Sequence, residues 1–226
     1  MEITQHQKTA VVLGASGLVG GHCLQQLLGH SAYGKVVSLG RRKLGFAHPK
    51  LSQEIVDFAR LDDFAPLFEG QDVFSCLGTT MAKAGSKAAF YEVDFTYAYE
   101  TARLAREAGA NQLLLVSSVG ADADSLFYYS RVKGELETAV KELGYWGLHI
   151  FRPSLLLGER KEKRLAEQLA VRLSRGIAPL MQRTALSPYS PIEAQDVAQA
   201  MVRTAQRLEP GAFVYDSGTI YNLAHA

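Results

Sequence analysis

Cysteine is nearly absent from this chain. Of 226 residues only Cys23 and Cys76 are thiols, with no Cys-x-x-Cys pair and no Cys/His ligand spacing, so neither a disulfide framework nor a zinc site is indicated. Both thiols are expected to be reduced and buried, the first in a helix and the second in a strand. Charge of one sign is also lacking: 24 Lys and Arg face 23 Asp and Glu, a net charge of +1. That balance argues against wholesale binding to a phosphate backbone, and nucleic acid is not expected as the main ligand. No run of about eighteen apolar residues occurs, so no stable membrane insertion is expected. The opening residues, Met1 to Lys8, lack the basic stretch and apolar core of a secretory signal, which makes the cytoplasm the expected location. The six histidines show no ligand-like grouping, and no metal is expected.

What is present is an alternation. Apolar runs at Thr9–Leu13, Val36–Leu39, Glu54–Phe58, Asp72–Leu77, Gln112–Val116 and Leu148–Phe151 read as strands, separated by helical patterns at Gly17–Leu28 and Lys87–Ala108 that Gly29 and Gly109 would stop. Strands apolar on both faces need helices above and below, and right-handed crossovers then build an α/β, Rossmann-type doubly wound parallel sheet. Beyond Arg152 the alternation loosens into helical patterns at Glu162–Ser174 and Ile192–Gln206 and a short strand at Ala212–Tyr215. Residues 1–226 are expected to form a single domain, with 152–226 contributing a small C-terminal substrate lobe; no repeat or linker divides the chain.

Two short stretches carry the chemistry. Directly after the first strand comes Gly14-Ala15-Ser16-Gly17-Leu18-Val19-Gly20. Glycines so spaced allow a tight strand-to-helix turn, close approach of backbone to a pyrophosphate, and tight packing of the next helix, whose free N–H groups face the phosphates. A dinucleotide site is therefore expected. An NAD-selective site usually ends its second strand on a carboxylate for the ribose hydroxyl. This strand ends Leu39-Gly40-Arg41-Arg42, and guanidinium groups pair with a 2′-phosphate, so NADP(H) is expected over NAD(H), with Arg41 first and Arg42 second.

The second stretch is Tyr129-Ser-Arg-Val-Lys133. One helical turn separates Tyr129 from Lys133, and positions 129, 132, 136, 140 and 143 repeat at helical spacing, so one helix face can present both groups. A free tyrosine titrates at about pH 10, and an adjacent ammonium lowers that by stabilising phenolate. Tyr129 is thus expected as general acid/base, Lys133 as its tuning cation and a holder of the nicotinamide ribose, and Ser118 as the donor that polarises a substrate carbonyl, with Ser117 as fallback. Tyr128 is read as a wall residue.

With these motifs stand Ser75-Cys-Leu-Gly-Thr-Thr80, Val93-Asp94, Ser117-Ser-Val-Gly-Ala-Asp122 and Phe151-Arg-Pro153. The whole resembles an atypical or extended short-chain dehydrogenase/reductase, in the oxidoreductase branch that includes the Tat-interacting protein. The resemblance implies that Asp57 and Phe58 lie near adenine, that Leu77, Gly78 and Thr79 border the cofactor, that Ser118, Tyr129 and Lys133 act together, and that Pro153 closes over the nicotinamide. Asp94 stands where extended members often have Asn, which puts an Asn-dependent proton relay in doubt. A short C-terminal part argues against a bulky nucleotide-sugar substrate. The expected function is NADP(H)-dependent hydride transfer to a small carbonyl substrate. Two alternatives stay open: an NADPH-sensing protein with a regulatory protein partner, and a flavin or quinone reductase. A homodimer is equally open. The charged run Glu159–Arg164 is read as a solvated face, Arg160 being the best candidate for an anion contact, and 177–181 as a core or lid contact.

Overall fold

The computed structural model describes residues 8–69, 72–158 and 187–226. β1 (Lys8–Leu13) runs into α1 (Leu18–Gly29), and β2 (Tyr33–Gly40), β3 (Leu51–Ile55) and β4 (Asp72–Ser75) follow, with a 3₁₀ segment at Phe58–Phe68 before β4. Next come the short α2 (Met81–Ala84) and a long helix in three parts: α3 (Lys87–Tyr91), a π turn (Glu92–Tyr97) and α4 (Ala98–Glu107). β5 (Gln112–Val116), α5 (Tyr128–Glu142), β6 (Gly147–Arg152) and the two-residue β7 (Leu156–Leu157) complete the described first part. The rest is β8 (Ile192–Glu193), α6 (Ala194–Arg207), β9 (Gly211–Asp216) and α7 (Ser217–His225).

Seven strands pair in parallel in the order β3-β2-β1-β4-β5-β6-β9, while β7 and β8 make a small separate pair. The expected doubly wound Rossmann sheet is the observed one. Because successive strand side chains point to opposite faces, Ala10 and Val12 of β1 enter one core with α1, α6 and α7, whereas Val11 and Leu13 enter the other with α4 and α5. Chain order reverses between β1 and β4, and the carboxyl ends of those strands open the crevice in which such sheets bind ligands. β9 and α6 belong to this main body: β9 pairs with β6 along its full length, and α6 packs on the β1 side of the sheet. The expected helix at 162–174, Arg160 and the 177–181 segment lie outside the described residues. Among the described residues no helix is long and apolar enough to cross a membrane.

Beyond shifts of a few residues at strand ends, three features differ from the sequence expectation. β3 is Leu51–Ile55 rather than Glu54–Phe58, because the Asp57 carboxylate accepts a hydrogen bond from the Ala59 N–H (3.0 Å) and starts the 3₁₀ segment there. The long helix contains the π turn that no periodicity announced. The terminal α7 was not foreseen, although Asp216 caps it by accepting from the Thr219 N–H at 2.8 Å, a side-chain type favoured at that position.

Near the outer edge of the sheet, His149 on β6 is fully buried between Phe213 and Tyr215, its Nδ1 3.0 Å from the Tyr215 hydroxyl. Burial, aided by the charge of Arg207, pushes its pKa down from 6.5 to about 4. The unfolded chain therefore takes up this proton first, and the stability contributed by neutral His149 is lost as pH falls from about 6.5 toward 4. Melting temperature should fall across that window in the wild type and fall less steeply in His149→Phe, as read by calorimetry at a series of pH values.

Candidate functional site

At the carboxyl end of β1 the chain turns on Gly14, whose φ of +75° is left-handed backbone. A Cβ there would sit 2.3 Å from the Cys76 carbonyl, and one at Gly20 would sit 2.2 Å from the Gly14 carbonyl. Both positions are closed to any side chain, so the loop lies flat against β4 and α1 packs tightly on the turn. Ala15, Val19 and Gly20 are buried, Leu18 is half-buried, and Ser16 and Gly17 are exposed. Gly17 begins α1 with no side-chain cap, and the first turn contains no acid. Its leading N–H groups are left for an external anion. This cradle fits a dinucleotide pyrophosphate.

Arg41 and Arg42 are exposed just past the end of β2. Asp57 is exposed and caps the 3₁₀ segment, while Phe58 is buried with its ring 5.4 Å from that of Tyr97. The Tyr97 phenol is raised above its usual pKa chiefly by burial, then by Glu92 and Asp57, with Arg41 acting in the opposite sense. The structure thus gathers Arg41, Asp57, Phe58 and Tyr97 at one side of the crevice.

On the other side, α5 presents Tyr129 in its first turn, 38% exposed, with its ring 5.6 Å from that of buried Phe90. Tyr128 is tied down: its ring lies 6.1 Å from that of Phe90 and its hydroxyl donates to the Lys87 carbonyl at 2.8 Å. Val132, Leu136 and Val140 anchor the helix in the core, and Lys133 and Glu137 are buried beside them. From sequence, Lys133 is expected to tune Tyr129 and to hold the nicotinamide ribose. In the structure its ammonium is paired with Asp94 at 2.7 Å, both side chains almost wholly inaccessible. The other Asp94 oxygen accepts the Thr79 N–H at 2.8 Å, so the carboxylate joins α5, the π turn and the Leu77-Gly78-Thr79 segment that leaves β4.

The two serines are separated by their partners. Ser117 Oγ donates to Glu137 Oε1 at 2.5 Å, and Arg152 clasps the same carboxylate at 2.9 and 2.6 Å. Ser117 is therefore engaged inside a buried network. Ser118 is half-buried, its Oγ 3.3 Å from the Val119 carbonyl in a long local contact. The loop carrying it is fastened by Val119 N–H to the carbonyl of buried Pro153, 3.0 Å. Cys23 is buried as expected, but Cys76 is half-buried, a correction that follows from its place at the open end of β4.

Neither the Asp94 pair nor the Glu137–Arg152 pair was read from sequence. One signal was there: charged residues at 133 and 137 adjoin the apolar stripe 132, 136, 140, and a charge on a buried helix face needs a partner.

Comparison with known proteins identifies the family. Residues 10–224 match the model of the NAD dependent epimerase/dehydratase family. The chain belongs to that family. Among its relatives is Protein HTATIP2 of Rattus norvegicus, 45% identical over 173 residues, covering 75% of this chain and 71% of the relative. Protein FMP52, mitochondrial, of Lodderomyces elongisporus is 36% identical over 219 residues, covering 90% and 89%. Among solved structures, the Bordetella bronchiseptica enzyme WbmH in complex with NAD+ superposes with a TM-score of 0.71 at 17% identity, over 97% of this chain and 80% of that one. This shows the shared fold. The fungal relatives overturn the expected cytoplasmic location: six of them, from 35 to 38% identical, carry a mitochondrial designation in their names.

Removing Glu137 would strand Arg152 and Ser117 in a mostly buried pocket. Glu137→Ala should cost about 3 kcal/mol of unfolding free energy, measured by urea titration, against a small change for the exposed control Glu142→Ala.

Proposed function

We propose that the chain is an NADP(H)-dependent oxidoreductase of the short-chain dehydrogenase/reductase type that reduces a small carbonyl substrate. The observation that carries this reading is the placement of Tyr129 and Lys133 one turn apart on α5, one accessible at the crevice and the other buried behind it. Membership of an NAD dependent epimerase/dehydratase family supports a nicotinamide cofactor.

In this reading Gly14 through Gly20 hold the pyrophosphate, Arg41 and Arg42 a ribose 2′-phosphate, and Asp57, Phe58, Leu77, Gly78, Thr79 and Pro153 the walls around the adenine and nicotinamide ends. Lys133 holds the nicotinamide ribose. A nicotinamide dinucleotide bound there supplies a hydride. Ser118 donates a hydrogen bond to the substrate carbonyl oxygen, drawing electron density from the carbon that accepts the hydride. Tyr129 gives its phenolic proton to the same oxygen as the alcohol forms, and Lys133 stabilises the phenolate left behind. The base of α5 is held in the core by Val132 and Leu136, so the phenol has a fixed origin from which to reach the crevice.

Tyr129→Phe should lower kcat for carbonyl reduction at least about 100-fold while leaving cofactor affinity nearly unchanged, as read by calorimetry and by NADPH oxidation. Full turnover in that variant would remove the acid role and favour direct reduction of a flavin or quinone. Arg41→Asp should lower the ratio of NADPH to NADH affinity by about 10-fold or more, the worth of a charge-assisted hydrogen bond. An unchanged ratio would dismiss the 2′-phosphate assignment.

A further inference from the structure

The helical turn that carries Tyr129 has no cap of its own. α5 starts after Phe127 with no side-chain hydrogen bond to its leading N–H groups and no acid in its first turn, a helix start that frays unless something else holds it. Val132 and Leu136 anchor α5 in the core from its second turn onward. Resting on the reading of Tyr129 as the acid of the reaction, we propose that Phe90 is a positioning residue, whose ring, packed against both Tyr128 and Tyr129, holds the first turn of α5 and with it the Tyr129 phenol.

Phe90 lies fully buried near the end of α3. Its ring centroid is 5.6 Å from that of Tyr129 at an interplanar angle of 46°, and 6.1 Å from that of Tyr128 at 57°, inside the range where aromatic pairs add stabilisation beyond the area they bury. α3 is itself well founded: the Ser86 hydroxyl accepts the Ala89 N–H at 3.1 Å, and the Ser86 carbonyl accepts the Phe90 N–H at 3.0 Å. Tyr128 completes the clasp from the other helix. Its hydroxyl donates to the Lys87 carbonyl at 2.8 Å, and its ring faces the Lys87 ammonium at 5.2 Å and the Arg131 guanidinium at 5.5 Å.

The spacing matches on both sides of this contact. Phe90 and Asp94 are four residues apart, as are Tyr129 and Lys133. The first of each pair meet ring to ring, and the second meet as an ion pair at 2.7 Å. The two helices are thus joined twice along their length. The ion pair fixes α5 at its second turn, and the ring contact fixes the turn before it, where the ion pair alone leaves an uncapped end. A phenol that must reach a carbonyl oxygen at hydrogen-bond distance gains from that second hold, because a misplacement of about 1 Å can cost about 100-fold in rate.

The test is a double-mutant cycle read in turnover and by NMR. Phe90→Leu keeps an apolar side chain and removes the ring. With NADPH and 4-nitrobenzaldehyde as the probe, its kcat should fall about 10-fold, with NADPH affinity by calorimetry nearly unchanged. In a Tyr129→Phe background the same change should alter the residual kcat by less than about 2-fold, because no phenolic proton is left to misplace; a loss of packing alone would lower both alike. In protein labelled with ¹³C in the tyrosine rings, the Tyr129 resonance, assigned by its absence in Tyr129→Phe, should move in Phe90→Leu toward that of an exposed tyrosine. Should Phe90→Leu not fold, Phe90→Met carries the same comparison. Wild-type kcat in folded Phe90→Leu, or an equal fall with and without the Tyr129 hydroxyl, overturns the inference. Full turnover in Tyr129→Phe, or a wild type that reduces none of a panel of aldehydes and ketones, instead defeats the reading on which it rests, and the resonance then decides whether Phe90 holds Tyr129.

Discussion

A buried carboxylate binds the two halves of this site. Asp94 meets Lys133 at 2.7 Å and the Thr79 N–H at 2.8 Å, so the helix that carries Tyr129, the strand end that borders the glycine loop, and the π turn are held by one group. Burying two charges is costly unless each is paired and hydrogen-bonded, and loss of either partner strands the other. The geometry of α5 against β4 is therefore fixed by electrostatics at the point where the reaction would occur, and by apolar packing everywhere else.

The two ends of the crevice are built by different means. At the glycine loop the work is done by backbone, since Gly14 and Gly20 leave no room for a Cβ and the uncapped start of α1 offers N–H groups. At the other end it is done by side chains whose competitors have been removed. Ser117 and Glu137 and Arg152 satisfy one another, and Tyr128 is tied to the Lys87 carbonyl, whereas Ser118 makes only a long local contact to the Val119 carbonyl and Tyr129 is partly exposed. Neighbouring residues of the same type have thus been sorted by local hydrogen bonding into those tied down and those left accessible.

Those features that depend on near neighbours in sequence were legible. Strand runs, the glycine turn and the Tyr129/Lys133 turn each express themselves over a few residues, and the doubly wound parallel sheet followed from alternation and handedness. What escaped was long-range or irregular. No period reveals that Asp94 meets Lys133 or that Arg152 meets Glu137, because each pair joins distant elements. The π turn adds a residue to a helix without changing its composition. β3 was misplaced because Asp57 could serve either as a strand residue or as a cap, and only its hydrogen bond to Ala59 decides between them. The cytoplasmic expectation failed for a different reason: it rested on the lack of a secretory pattern, and a Rossmann-type fold carries no physical record of an address.

The claim on which everything else rests is that a phosphorylated nicotinamide dinucleotide occupies the crevice between β1 and β4. Calorimetric titration of the full chain with NADPH tests it most directly. The account predicts saturable binding at one site per chain, tighter than for NADH; absence of heat and of any NADPH-induced rise in melting temperature would contradict it.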